Sequence, residues 1–300
     1  MSQDKKDMIK GIFPPITTPF ENGEVAYDRL SENIAKWNRT GLSGYVVMGS
    51  NGESPFLTRE EKLKLVEATK QSADSGKMLI AGTGSDSIRE TVSLSNEAAD
   101  RGADYVLVLT PSFYKDQMRS PAIVRYFTEV ADKIKVPLII YNVPKFTGIN
   151  IEVDAAVRLS GHGNIVGLKN SSENAAHTAE IVANVPVDFS VLVGTASVLY
   201  HGLVSGATGG ILALANIAPV ECIEVQRLFD AGKHEEASRL QAKLIPVNRA
   251  VTTKYGVAGL KAAMDLLGYY GGEPRSPLTA LGNEERKDLI RILKTADLLD

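Results

Sequence analysis

Eight short apolar runs, each followed by a helical pattern, succeed one another with no linker or low-complexity break between them. They are Gly11 to Pro19, Gly44 to Met48, Met78 to Ala81, Tyr105 to Leu109, Pro137 to Tyr141, Ile165 to Lys169, Ser190 to Val193 and Gly210 to Ala213. Runs of this length with turn residues at both ends read as strands buried on both faces, and strands alternating with helices read as a parallel sheet. Eight such units in about 215 residues leave two arrangements, a closed (β/α)8 barrel or an open doubly wound sheet. The open sheet is disfavoured because no Gly-x-Gly-x-x-Gly follows the first strand. The nearest approach, Gly82-x-Gly84, sits at the third strand and has Ser87 where the last glycine would stand. The expected fold is therefore α/β, a TIM barrel over residues 1–218 with a C-terminal helical extension over 219–300.

The helical patterns carry their own signals. Leu30, Ile34 and Trp37 share one face, as do Ile123, Phe127, Val130 and Ile134. Thr58 with Glu61 predicts a capping box, and Ser120-Pro121 predicts an N-cap and first turn. The extension is expected to hold helices at Pro219 to Asp230, Glu235 to Val247, Val257 to Leu267 and Glu284 to Thr295.

Composition limits the partners. The 300 residues are 44% hydrophobic and 23% charged, with a net charge of -3. That is the balance of a globular chain with a sizeable core, and it lacks the basic surplus that binds nucleic acid or an anionic membrane. No apolar run is long enough to span a bilayer, and the polar stretch Met1 to Lys10 lacks the apolar core of a signal peptide. The lone cysteine, Cys222, excludes an internal disulfide and reads as a packed small hydrophobe. A reducing, cytoplasmic location is expected.

In a barrel, chemistry sits at the carboxyl ends of the strands. This selects Gly49 to Glu53, Gly82 to Gly84, Thr110 to Tyr114, Tyr141 to Lys145, Lys169, Gly194-Thr195 and Ile211. Lys169 is either a solvated lysine leaving its strand or an amine in a partly apolar pocket, able to attack a ketone and form a Schiff base. Tyr141 ends the neighbouring strand, either as a packing residue at the barrel mouth or as a phenol that carries protons. Gly49-Ser50-Asn51-Gly52 is either an ordinary glycine turn or a row of amides able to hold a carboxylate, with the Ser50 hydroxyl as a proton carrier. His162, His177, His201 and His234 are scattered without metal-ligand spacing and read as surface or capping residues. No phosphate loop is present, and no serine stands at a strand end with a His/Asp relay. An amine nucleophile working without metal or organic cofactor is the economical reading.

Gly49-Ser50-Asn51-Gly52-Glu53, Tyr141-Asn142-Val143-Pro144 with Thr147-Gly148, and Gly167-Leu168-Lys169 resemble the signature segments of the dihydrodipicolinate synthase / N-acetylneuraminate lyase family. Gly209 to Pro219 resembles its eighth-strand segment, and the similarity covers nearly the whole chain. The resemblance implies a barrel with a C-terminal helical domain, usually a homotetramer, acting as a class I aldolase on pyruvate and an aldehyde. By position it implies Lys169 as the Schiff-base lysine and Tyr141 as the proton relay. Ser50 and Asn51 would hold the pyruvate carboxylate, and Ile211 would lie against the bound pyruvate. Ser171 and Gly194 are added as substrate-binding candidates.

Two segments depart from the family pattern. Dihydrodipicolinate synthases usually carry Ser-Arg-Thr-Gly after the tyrosine, with the arginine binding the carboxylate of aspartate semialdehyde. Here Lys145-Phe146-Thr147-Gly148 places Phe146 in that slot, and strand alternation points Lys145 towards solvent. The family's fourth-strand segment lends a tyrosine to the neighbouring subunit, and Phe113 occupies that slot with Tyr114 beside it as the candidate. These features, with Met264 to Gly272, resemble 4-hydroxy-2-oxoglutarate aldolases most closely. Those enzymes yield pyruvate and glyoxylate. Dihydrodipicolinate synthase activity and a non-catalytic barrel that binds a 2-oxo acid are the competing expectations.

Overall fold

The structure is a computed structural model that describes residues 8–300; the expectation for the residues before Met8 lies outside the described residues. Eight parallel strands form the barrel: β1 (Gly11–Phe13), β2 (Gly44–Val47), β3 (Met78–Gly82), β4 (Tyr105–Leu109), β5 (Leu138–Asn142), β6 (Ile165–Asn170), β7 (Ser190–Val193) and β8 (Gly209–Ile211). From β2 to β8 each strand pairs with the next in the chain, and β8 pairs with β1. The ring closes between β1 and β2, where Val46 N donates to Pro14 O (3.0 Å) and Ile16 N to Val46 O (2.9 Å). Pro14 and Pro15 have no N–H, so β1 is shorter than the expected run to Pro19 and only its first three residues pair regularly.

Phe13, Val46, Ile80, Leu107, Ile139, Leu192 and Ile211, from seven of the strands, pack together in the barrel interior. On β6 the register shifts: Leu138 pairs with Ile165, but Ile139 pairs with Gly167, so Val166 is one residue extra. This bulge resets the alternation of β6 relative to β5 and brings Lys169 opposite Tyr141. Gly167 is required there, because a Cβ at this position would stand 2.5 Å from Ser190 O on β7.

Seven helices cover the outside in step with the strands: α1 (Tyr27–Asn38), α2 (Arg59–Ser72), α3 (Ile88–Asp100), α4 (Ser120–Ala131), α5 (Val153–Ser160), α6 (Ala175–Asn184) and α7 (Leu199–Val204). The Thr58–Glu61 capping box forms as expected: Glu61 N donates to Thr58 Oγ1 (3.2 Å) and Thr58 N to Glu61 Oε2 (2.8 Å). At α4 the cap is Arg119, one residue earlier than expected. Ser120 is already helical and its hydroxyl donates to Asp154 Oδ1 (3.1 Å).

The extension contains α8 (Pro219–Asp230), α9 (His234–Arg249), a π-helical turn (Ala250–Lys254), α10 (Gly256–Leu266) and α11 (Asn283–Thr295). α8 follows β8 as the other helices follow their strands. It buries Cys222 and Val225 in the same core as Trp37 of α1, and Gln226 Nε2 reaches Thr208 O (3.3 Å) just before β8. α9, α10 and α11 add Leu244, Leu260 and Leu289 to that same core. A two-residue hairpin, Phe20–Glu21 with Glu24–Val25, was not foreseen; Asn22-Gly23 turns it, both with positive φ.

Candidate active site

Lys169 is 3% exposed and Tyr141 5% exposed, side by side at the carboxyl ends of β6 and β5. The Lys169 ammonium nitrogen lies 4.0 Å from the centre of the Tyr141 ring. The Tyr141 hydroxyl meets Ser50 Oγ at 3.2 Å, across from the end of β2. Three residues from three separated segments therefore meet at one point because the ring brings their strand ends together. Burial pushes the Tyr141 phenol up. The charge of Lys169, with the Ser50, Lys169 and Ser171 side chains around the hydroxyl, outweighs burial and holds it below the ordinary value of 10.0.

Ser50–Gly52 is a single 3₁₀ turn, closed by Gly52 N donating to Gly49 O (3.0 Å) and Glu53 N to Ser50 O (3.2 Å). The Ser50 and Asn51 amides come ahead of these bonds in the turn. Met48 (φ 59°) and Glu53 (φ 55°) hold left-handed backbone on either side of the turn.

Ser171 follows β6. Its Oγ is buried without a hydrogen bond of ordinary length. Gly194, after β7, makes room for it: a Cβ on Gly194 would stand 1.9 Å from Ser171 Oγ. Ile211 is fully buried in the same interior cluster as Tyr141. The structure thus draws Lys169, Tyr141, Ser50, Ile211, Ser171 and Gly194 into the mouth of the barrel. Asn51 is half-buried beside them.

Tyr114 is not brought in. It is 66% exposed, Phe113 is 78% exposed, and their rings meet edge to face 5.0 Å apart. Asp86 Oδ1 fixes this loop by accepting from Ser112 N (2.6 Å) and Phe113 N (3.0 Å).

A cavity of about 770 Å³ opens from Ser50 and Tyr141 to Lys145, Phe146 and the π-helical turn at Thr252. Lys145 is exposed, as expected of a solvated lysine, but it also has a partner. Its Nζ donates to Thr252 O (2.8 Å) and it lines the cavity. Strand alternation stops at Asn142, and Pro144–Thr147 is a helical turn, so a period of two no longer governs where the side chain goes. Lys62 of α2 also lines the cavity, with its pKa lowered by burial; no sequence pattern marks it. Among the described residues lining the cavity there is no arginine.

His177 is also a correction. It is buried, and its Nε2 lies 3.0 Å from Ile151 O. Its Nδ1 lies 3.3 Å from Asn170 Nδ2, which gives the ring the tautomer with hydrogen on Nε2. Asn142 Nδ2 donates to Asn170 Oδ1 (2.9 Å), so the residues directly after Tyr141 and Lys169 are tied to each other. Polar burial there is repaid by a closed network, which a single isolated histidine in the sequence does not reveal. Among the described residues no three His, Cys, Asp or Glu side chains converge as metal ligands. Cys222 is fully buried, which pushes its thiol pKa up and keeps it a packing residue. No helix among the described residues is long and apolar enough to cross a membrane.

Comparison with known proteins agrees with this architecture. The model of the dihydrodipicolinate synthetase family matches residues 8–296. A probable mitochondrial 4-hydroxy-2-oxoglutarate aldolase of Emericella nidulans is 35% identical over 286 residues, 93% of this chain and 92% of that one. A 4-hydroxy-tetrahydrodipicolinate synthase of Methanocaldococcus jannaschii is 34% identical over 293 residues, 97% of this chain and all of that one. The crystal structure of dihydrodipicolinate synthase from Aquifex aeolicus superposes with a TM-score of 0.91 at 33% identity, covering 97% of this chain and 99% of that one. Similarity of this extent runs through both the barrel and its helical extension, and the chain belongs to the dihydrodipicolinate synthetase family, whose members are lyases working through a lysine Schiff base with pyruvate.

Proposed function

We propose that this class I pyruvate lyase cleaves 4-hydroxy-2-oxoglutarate reversibly to pyruvate and glyoxylate, with Lys169 as the Schiff-base residue. The observation that carries the substrate is the cavity wall after Tyr141. Phe146 stands 64% exposed in the slot where aspartate-semialdehyde users carry arginine, and no arginine among the described residues lines the cavity. A bidentate carboxylate partner is thereby absent.

The chemistry follows from the three side chains that meet. The Lys169 amine, with its proton passed to its surroundings, attacks the ketone carbon. Tyr141, connected to Ser50, donates a proton to the departing hydroxyl as the carbinolamine loses water. The resulting imine is an electron sink. When the hydroxyl on the fourth carbon loses its proton, the bond between the third and fourth carbons breaks, glyoxylate leaves and an enamine remains. The enamine takes a proton and water hydrolyses the imine, releasing pyruvate and the free amine. The Ser50 and Asn51 amides hold the carboxylate beside the ketone. Ser171 Oγ, buried beside the Tyr141 hydroxyl and without another partner of ordinary length, is available to substrate. Tyr114, exposed and carried on a loop fixed by Asp86, is the residue that would enter a second copy's site in a homotetramer. The location that suits the chain is the cytoplasm, with the name of the Emericella relative as a mitochondrial counter-example.

The test sets two reactions side by side with purified protein: pyruvate released from 4-hydroxy-2-oxoglutarate, and pyruvate consumed with aspartate semialdehyde. Rapid cleavage with little condensation supports this reading. Efficient condensation supports the second reading, 4-hydroxy-tetrahydrodipicolinate synthase, a name several relatives of equal similarity bear. If Lys169→Ala still binds pyruvate irreversibly on borohydride reduction, the lysine is wrongly assigned.

A further inference from the structure

We infer that Lys261, in the helical extension, is a positioning residue for the pyruvate site, acting through Glu53. This rests on the reading of the Ser50–Asn51 turn as the carboxylate cradle. Glu53 ends that turn in left-handed conformation, and its side chain is fully buried. Its Oε1 faces Lys261 Nζ at 2.7 Å, and its Oε2 accepts from the backbone N of Arg275 at 2.8 Å. Lys261 is itself fully buried. It also donates to Glu273 O (3.0 Å), and its Nζ lies 4.4 Å from the centre of the Phe20 ring.

Arg275 covers the other side. Its guanidinium carbon is 4.4 Å from the same ring, and it forks onto both carboxylate oxygens of Glu61 at 2.6 and 2.9 Å. Glu61 is the third residue of α2 and the partner of Thr58 in its capping box, and α2 is the helix that follows the turn. The turn is held from below as well, where Thr18 Oγ1 donates to Gly52 O (2.7 Å).

A buried ion pair is a costly way to hold two segments together, since apolar residues of similar volume often do so with equal or better stability. What the pair supplies is a fixed position. A carboxylate anchored at both oxygens leaves the turn one place to sit, and Ser50 Oγ then meets Tyr141 at 3.2 Å. Misplacement by about 1 Å at a reacting centre can cost on the order of a hundredfold in rate. The extension would thereby set the geometry of a site built on the barrel.

The test is borohydride trapping of the full-length protein over a range of pyruvate concentrations, with thermal denaturation measured alongside. The variants are Lys261→Met, the near-isosteric Glu53→Gln, and the double variant Glu53→Leu/Lys261→Met. In the single variants the half-saturating pyruvate concentration is expected to rise about tenfold, while trapping at saturation still reaches Lys169 in full. The double variant is expected to recover thermal stability without recovering half-saturation. Should Lys261→Met not fold, Glu53→Gln carries the same reading. Wild-type half-saturation in Glu53→Gln overturns the inference, as does a double variant that regains half-saturation together with stability, since the pair would then be merely structural. A wild-type protein that fails to trap pyruvate overturns the pyruvate reading itself, and the positioning role falls with it.

Discussion

Replacing Tyr141 by Phe removes one oxygen atom from the centre of the site. The ring, its packing against Ile139, Leu192 and Ile211, and its place under the Lys169 ammonium all remain. The hydroxyl makes one hydrogen bond of ordinary length, to Ser50 at 3.2 Å, and that serine borders a cavity large enough for water to replace it. The stability cost is therefore about 1 kcal/mol. The catalytic cost is much larger. A positioned general acid–base group contributes roughly 10²- to 10⁴-fold, or about 3–5 kcal/mol of barrier. The variant should fold, trap pyruvate slowly at Lys169, and turn over at least about a hundredfold more slowly. A pH profile gives a second reading. The Lys169 charge and the neighbouring hydroxyls hold the phenol below 10.0 against the opposing effect of burial, so the acid form is lost as pH rises through a value under 10. Wild-type turnover should fall along that alkaline limb, and the Phe variant should lack the contribution of this group. A Tyr141→Phe protein with turnover within threefold of wild type would sink the relay assignment.

Three other outcomes are expected. Phe146→Arg should raise condensation of pyruvate with aspartate semialdehyde by about ten- to a hundredfold, the worth of one charge-assisted fork, and assays of that condensation with wild-type rates refute it. Gly194→Ala drives a methyl to 1.9 Å from Ser171 Oγ and 2.7 Å from its Cα, so denaturant unfolding should show a loss of about 1–3 kcal/mol and pyruvate trapping should weaken. Glu61 is held down from 4.5 to about 2, first by its hydrogen bonds to Arg275 and then by Thr58, against burial. Its depressed pKa means a stabilisation that is complete above 4.5 and lost as pH falls through about 2, amounting to at most about 3 kcal/mol. Glu61→Gln should thus melt lower than wild type at pH 7, with the gap closing in acid. A gap of constant size excludes this origin.

The barrel was legible because its signal is repeated: each buried strand is a continuous apolar run, and eight of them with eight helical stripes reinforce one another. Lys169 and Tyr141 were legible because both are polar side chains at the ends of such runs. Three features were not. Lys145 is exposed as expected, but its bond to Thr252 O ties the helical turn after Val143 to the distant extension, which strand alternation does not reveal. His177 looks isolated in the sequence, since its partners Asn170 and Ile151 come together only through the turns after β5 and β6. Glu53 and Arg275 lie 222 residues apart, and no local pattern announces a pairing between a barrel turn and the far extension.

That same separation accounts for the division between chemistry and substrate. Lys169 and Tyr141, the proposed reacting groups, sit on adjacent parallel strands, whose register fixes them opposite each other through backbone hydrogen bonds that most substitutions leave untouched. The cavity wall proposed to meet the aldehyde is made differently, from the helical turn Pro144–Thr147 and from Thr252 on the π-helical turn, joined by a bond from Lys145. Such segments can change residue without disturbing the ring. Relatives named for cleavage and for condensation are accordingly equidistant, at 35% and 34% identity, because whole-chain identity counts mainly the scaffold. The choice between them rests on a few side chains of the wall, and Phe146, which offers an apolar ring where a carboxylate would need a cation, weighs more in that choice than the identity of the remaining chain.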